Sequence, residues 1–253
     1  MIYKSEMYSK ILAGLISLTV IPLTALANSN FMFKIKNAKV FQVIEDTTAY
    51  LITTWEANEE IKIKPPQVIP IAQGSTVFGS CGSYVTGDDV GGSSYCPATH
   101  TIFLVPEQLK AFETEFGKSA VAYVVAHEFG HAVQRAYDVW LPSPNHELQA
   151  DCLAGVFINE GTEALGITRE DTIAMSNVAY AIGDPTHGTG EQRAYALASG
   201  MGVIEGSCEP KQMAKLAEGK IDLANFSTTR SISESVDLSA TPYPKNVLGS
   251  MGL

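Results

Sequence analysis

The residues of this 253-residue chain best suited to chemistry are His127-Glu128-Phe129-Gly130-His131. On an α-helix, positions four apart sit about one turn above each other on nearly one face. Two imidazoles at that spacing can reach the same metal ion. Glu128 follows the first His and lies one turn before the second, so its carboxylate is placed to touch a water on the metal rather than the metal itself. The predicted chemistry is zinc-assisted hydrolysis. Zn2+ lowers the pKa of a water and polarises a carbonyl, and Glu128 acts as the general base. Val121 to Ala126 lead into the motif and Ala132 to Ala136 lead out of it, a mostly apolar stretch with few charges and no Pro, which suits a helix in the middle of a core. Two His and a Glu on such a helix are costly to bury unless a partner such as a cation compensates them.

A catalytic zinc normally takes three protein ligands and leaves a fourth position open. Glu147-Leu148-Gln149-Ala150-Asp151 offers the third, because Glu147 and Asp151 are four apart and share a helical face. In this reading Glu147 ligates the metal and Asp151 accepts the free N–H of a ligand His. Asp151 or His146 as the ligand is the alternative. His187 is the candidate donor to the oxyanion of the tetrahedral state, with Arg193 and Tyr195 behind it. A loop His capping the next helix is the competing reading of His187. Thr101-Ile102-Phe103-Leu104 is a candidate edge strand for an extended peptide.

The elements that must position these residues are mostly helices, with a small sheet beside the zinc helix. Val40, Phe41, Ile44, Leu51, Ile52 and Trp55 make a helical face between Asn37 and Ala57, although the β-branched content there also permits strands. Val68 to Val77 and Thr101 to Val105 read as strands, and the glycine-rich stretch Gly82 to Ser94 between them as a loop. Pro106 to Phe116 is a helix with Pro in its first turn. Ser143-Pro144 predicts an N-cap and first helical residue for a helix reaching about Asn159. Thr168 with Asp171, and Thr189 with Gln192, have capping-box spacing for two more. From Ser227 the chain is rich in Ser and Thr with little apolar periodicity, and reads as a loosely attached extension over 227–253.

At the other end, Lys4 and Lys10 precede an apolar run that closes on Ala25-Leu26-Ala27, the pattern of a signal peptide over 1–27 cut before Asn28. An uncleaved membrane anchor is the alternative. After cleavage no further segment is long and apolar enough to span, so one domain over 28–226 is expected, periplasmic or secreted. A net charge of −10 gives the chain nothing to gain from a phosphate backbone and argues against nucleic acid as a partner. Four cysteines in an exported chain suggest two disulfides, for which three pairings exist. Cys81 with Cys96 would close a loop of about 15 residues, worth roughly 3 kcal/mol in the chain-entropy model, and leaves Cys152 with Cys208. No C-x-x-C pair is present to make a cysteine metal site.

Taken together, Ser80-Cys81-Gly82, Tyr95-Cys96-Pro97, His127 to His131, Glu147 to Cys152, Gly183-Asp184, Thr186-His187-Gly188-Thr189 and Gln192-Arg193 resemble the putative neutral zinc metallopeptidases of bacteria, in order, from about residue 38 to 208. The segments between His131 and Glu147 and after Asp184 are shorter than is usual there, and the family usually carries a longer N-terminal region with an anchor. The Glu147-x-x-Ala150-Asp151 element is also similar to that of the prenyl-protein proteases, where the Glu ligates zinc. The resemblance implies a zincin-like α+β fold, one Zn2+ per chain on His127, His131 and Glu147, and a protein or peptide substrate. It also supports the Cys81–Cys96 and Cys152–Cys208 pairing. A zinc hydrolase for a non-peptide substrate and a catalytically silent zinc domain are the other classes. A silent site, however, has no chemical need for Glu128.

Overall fold

Val40, Phe41, Ile44, Leu51 and Trp55 are buried along one face of helix α1 (Ala38–Ala57), so the helical spacing prevails there over the β-branched content. The computed structural model describes residues 37–80, 83–87, 92–224 and 226. The expected leader over 1–27, Cys81 and the extension from Ser227 lie outside the described residues. Strands β1 (Gln67–Pro70), β2 (Thr76–Ser80), β3 (Ser83–Thr86), β4 (Ser93–Cys96) and β5 (Thr101–Leu104) follow α1. They form a three-stranded sheet of order β1-β5-β4 and a separate β2-β3 hairpin. In the larger sheet β1 runs parallel and β4 antiparallel to β5.

Three expectations about the strands are corrected. The run from Val68 to Val77 is two strands, broken by a turn at Gly74, whose φ of 74° suits glycine. The stretch Gly82 to Ser94 is more than a loop: its Ser83-Tyr84-Val85-Thr86 pairs antiparallel with β2, an aromatic and β-branched run concealed by the glycines around it. Thr101 to Leu104 is no edge strand. As β5 it is central and all four of its residues are buried, which leaves β1 and β4 as the edges among the described residues.

The remaining elements are helical: α2 (Pro106–Phe116), α3 (Lys118–Ala136), α4 (Asn145–Glu160), α5 (Thr162–Leu165), α6 (Arg169–Ala181), α7 (Gly190–Gly200) and α8 (Pro210–Ala217). Thr168 with Asp171 and Thr189 with Gln192 close capping boxes on α6 and α7, as their spacing predicts. Helix α4 begins one residue after the predicted Pro144, with no side chain capping it. The single turn α5 is too short for any periodicity to reveal. The result is a mostly helical α+β architecture with a small sheet.

Helix α3 is buried at every position from Ser119 to Gly130, with α1, α2, α4, α6 and β4 packed around it. Helices α4 and α7 cross at backbone contact: a Cβ at Gly155 would run into the Leu197 carbonyl, and one at Gly200 into that of Cys152. The Cys152–Cys208 disulfide ties α4 to the segment before α8 across a sequence separation of 56, a closure worth about 4 kcal/mol in the chain-entropy model. Cys96 is also disulfide-bonded. These bridges are compatible with an exported protein. Among the described residues no helix is long and apolar enough to cross a membrane.

Candidate metal site

His127 and His131 lie one turn apart on α3, and α4 brings Glu147 against them. The close approach has a local cause. Gly130 faces Ala150, and a Cβ at Gly130 would lie 2.8 Å from the Ala150 carbonyl oxygen and 3.0 Å from its Cα. Only the missing side chain lets α4 come near enough for Glu147, one turn before Ala150, to reach the His pair. Gly130→Ala should therefore destabilise the protein. Alanine improves helix propensity by about 1 kcal/mol, but a clash with backbone cannot relax by a rotamer change and overpacking costs roughly 1–3 kcal/mol. A higher unfolding midpoint in this variant would contradict the account.

The donor atoms converge. His127 Nε2 and His131 Nε2 are 3.1 Å apart, and each lies 3.3 Å from Glu147 Oε2. Donors about 2.0–2.1 Å from a tetrahedral zinc would be roughly 3.3–3.4 Å from one another. The triangle has that size, so these three residues could hold one such ion. His146 and Asp151 are outside this group. The His146 ring stacks on His131 with centroids 5.0 Å apart, and burial, then the His131 charge, pulls its pKa down to about 4.

The far nitrogen of each ligand candidate is also engaged. His127 Nδ1 lies 2.8 Å from Asp151 Oδ1. Asp151 is fully buried, and it also accepts from Tyr123 Oη at 2.6 Å and from Arg193 Nε and Nη2 at 2.8 and 2.9 Å. Burial raises the Asp151 pKa, but the Arg193 guanidinium and His127 overcome it and hold the group at about 2. Burial lowers the His127 pKa, and the Asp151 charge and hydrogen bonds to Asp151 and Glu147 more than offset this, lifting it to about 10. Glu147 is held well below the usual carboxylate range, because its hydrogen bonds to the two imidazoles outweigh its burial. His131 Nδ1 lies 2.8 Å from Gln134 Oε1.

Glu128 is buried beside this cluster and accepts a 2.7 Å hydrogen bond from Ser93 Oγ on the edge strand β4. It lies where two lobes of a cleft meet, both lined by Ser93, His127, Glu128 and His187. One lobe, about 290 Å3, is polar and aromatic, with Tyr95, Arg135 and the exposed Trp140. The other, about 340 Å3, has apolar walls from Leu109, Phe112, Val124 and Ile182.

His187 is in the cleft, with Nδ1 2.7 Å from Asp184 Oδ2. Asp184 also accepts from the hydroxyl and amide of Thr186, and these bonds hold it below the usual carboxylate range. With Nδ1 engaged by Asp184, the remaining ring nitrogen, Nε2, is an acceptor when the ring is neutral and a donor when it is protonated. The two reserve oxyanion donors have other partners. Arg193 is buried and committed to Asp151 and to Tyr123 Oη. Tyr195, two residues on and so on another face of α7, donates to the Glu205 carbonyl. Ser93, Tyr123, Gln134, Gln149 and Asp184 bond to residues of the candidate site, and the sequence reading assigned them no role there. Tyr123 and Gln134 carried a signal in their helical spacing to His127 and His131; Ser93 carried none.

Among similar proteins, the uncharacterized protein YpfJ of Escherichia coli K12 is 31% identical over 147 residues, covering 45% of this chain and 50% of its own length. The uncharacterized protein Mb2605 of Mycobacterium bovis is 37% identical over 81 residues, covering 26% of this chain and 28% of its own. The match thus spans half or less of these relatives. No solved structure matches the chain at a significant level. A family match includes His127, Glu128 and His131 and stops before Glu147 and His187, narrower than the resemblance expected from the motifs. The family that this chain matches, over residues 36–140, is the one described as putative neutral zinc metallopeptidase.

Proposed function

We propose that this chain is an exported, zincin-like zinc endopeptidase, with His127, His131 and Glu147 as ligands of one Zn2+ and Glu128 as general base. The observation that carries the reading is the 3.1–3.3 Å triangle of donors with a buried carboxylate beside it. Zinc bound there supplies Lewis acidity, which polarises a carbonyl and makes water more acidic. The other steps belong to the chain's own residues. Asp151 holds the His127 ring with Nε2 towards the ligand position. Ser93 occupies one oxygen of Glu128, which fixes the carboxylate to take a proton from the attacking water and deliver it to the leaving amine. His187, hydrogen-bonded to Asp184, is the donor to the developing oxyanion.

Strand β4, an edge of the sheet among the described residues and the one that carries Ser93 beside Glu128, is the strand that pairs with an extended peptide, rather than the central β5. The apolar lobe receives a large apolar side chain of that peptide. A zinc site without turnover is the less favoured reading, because the Ser93-held Glu128 would then have no task.

Elemental analysis of the untagged protein tests the metal, and a peptide library tests the reaction. We expect about one zinc per chain and cleavage beside bulky apolar residues. Glu147→Ala should lose zinc affinity along with activity. Folded protein that refuses added zinc would sink the reading, and normal zinc occupancy in Glu147→Ala would remove Glu147 from the ligand set.

A further inference from the structure

His131 lacks the carboxylate partner that orients His127, and what it has instead is a chain of buried amides. We propose that Gln134 and Gln149 are positioning residues that fix the metal-binding face of His131 through a relay anchored at the disulfide-bonded Cys208. The proposal rests on the metal-site reading above.

The direction of the relay follows from its ends. The Cys208 carbonyl can only accept, so the Gln149 side chain must turn its Nε2 towards it, at 2.9 Å. Gln149 Oε1 then faces Gln134, which must donate, and Gln134 Nε2 lies 3.0 Å away. The second hydrogen of that amide goes to the His146 carbonyl at 2.8 Å, another group that only accepts. Gln134 Oε1 is left facing His131 Nδ1 at 2.8 Å. An oxygen with no hydrogen must accept, so His131 carries its hydrogen on Nδ1 and keeps the lone pair on Nε2, beside Glu147 and His127 Nε2. Amide orientation is ordinarily ambiguous; here two backbone carbonyls leave one assignment in which each contact of the relay pairs a donor with an acceptor. Gln134 and Gln149 are each 1% exposed, so water cannot take over either role.

The relay also registers the helices. Gln149 and the His146 carbonyl belong to the α4 segment that carries Glu147, while Gln134 belongs to α3 with His131. Cys208 is bonded to Cys152 on α4. The position of the third ligand and the tautomer of the second are thus set by one buried network.

Zinc dissociation constants of the full chain, measured by competition with a chromogenic chelator, test this. Gln134→Met and Gln149→Met should each raise the constant about 10- to 100-fold. The double variant should be no worse than the poorer single one, because a relay broken at one link is broken throughout. Leu153→Ala, a buried truncation on α4, should lower the unfolding midpoint and leave zinc binding unchanged. Wild-type affinity in folded Gln149→Met, additive losses in the double variant, or an equal loss in Leu153→Ala would each overturn the relay and leave the metal site standing. A wild-type chain that binds no zinc would overturn both.

Discussion

Glu128→Gln protein will bind zinc like the wild type and hydrolyse peptides about 10²- to 10⁴-fold more slowly, the range for loss of a general acid–base group. That corresponds to roughly 3–5 kcal/mol on the barrier. The substitution is a clean probe because it changes little else. The Gln carbonyl can still accept from Ser93 Oγ, which now bonds Glu128 at 2.7 Å, and the buried shape is kept. Only the ability to take a proton is lost. The loss should therefore fall on kcat, with KM, zinc content and unfolding midpoint close to wild type. Undiminished turnover in the variant would remove Glu128 from the mechanism.

Asp151→Asn is expected to have the largest effect on stability. Asp151 is fully buried and carries the only carboxylate hydrogen-bonded to the buried Arg193 among the described residues. Taking away the anion strands a guanidinium in the core, which costs about 3–5 kcal/mol. Zinc affinity should fall as well, by about 10- to 100-fold, because His127 Nδ1 then faces a neutral amide in place of the carboxylate that orients it and raises its basicity. A pH dependence follows from the depressed pKa of about 2. A carboxyl group whose folded value lies below its unfolded value of roughly 3.9 stabilises the fold above that unfolded value. The contribution, on the order of 2–3 kcal/mol, disappears as the pH falls through about 2. The gap in stability between wild type and Asp151→Asn should accordingly narrow between about pH 4 and pH 2. Denaturant unfolding at several pH values would reveal it, and equal midpoints at pH 7 would contradict the account.

Local spacing made much of this architecture legible. The face of α1, the Pro-started α2 and the capping boxes of α6 and α7 all depend on residues within a few positions of one another. The strands were less legible, because four-residue elements contain too few alternations to set a period. Only pairing partners distinguish β3 from the glycine-rich loop it interrupts, or the centre of the sheet from its edge.

The candidate site divides in the same way. That His127 and His131 share a face with Glu128 one turn before the second His, and that Glu147 and Asp151 share another, was determined by the sequence alone, since helix geometry places residues three or four apart together wherever the helix lies. Tertiary structure alone decided what meets those faces. Ser93 reaches Glu128 across 35 positions, Arg193 reaches Asp151 across 42, and Gln149 reaches the Cys208 carbonyl across 59. No local periodicity encodes such pairings. They arise because Gly130 and Gly155 let backbones approach, and because buried polar groups must find partners wherever the packing brings them.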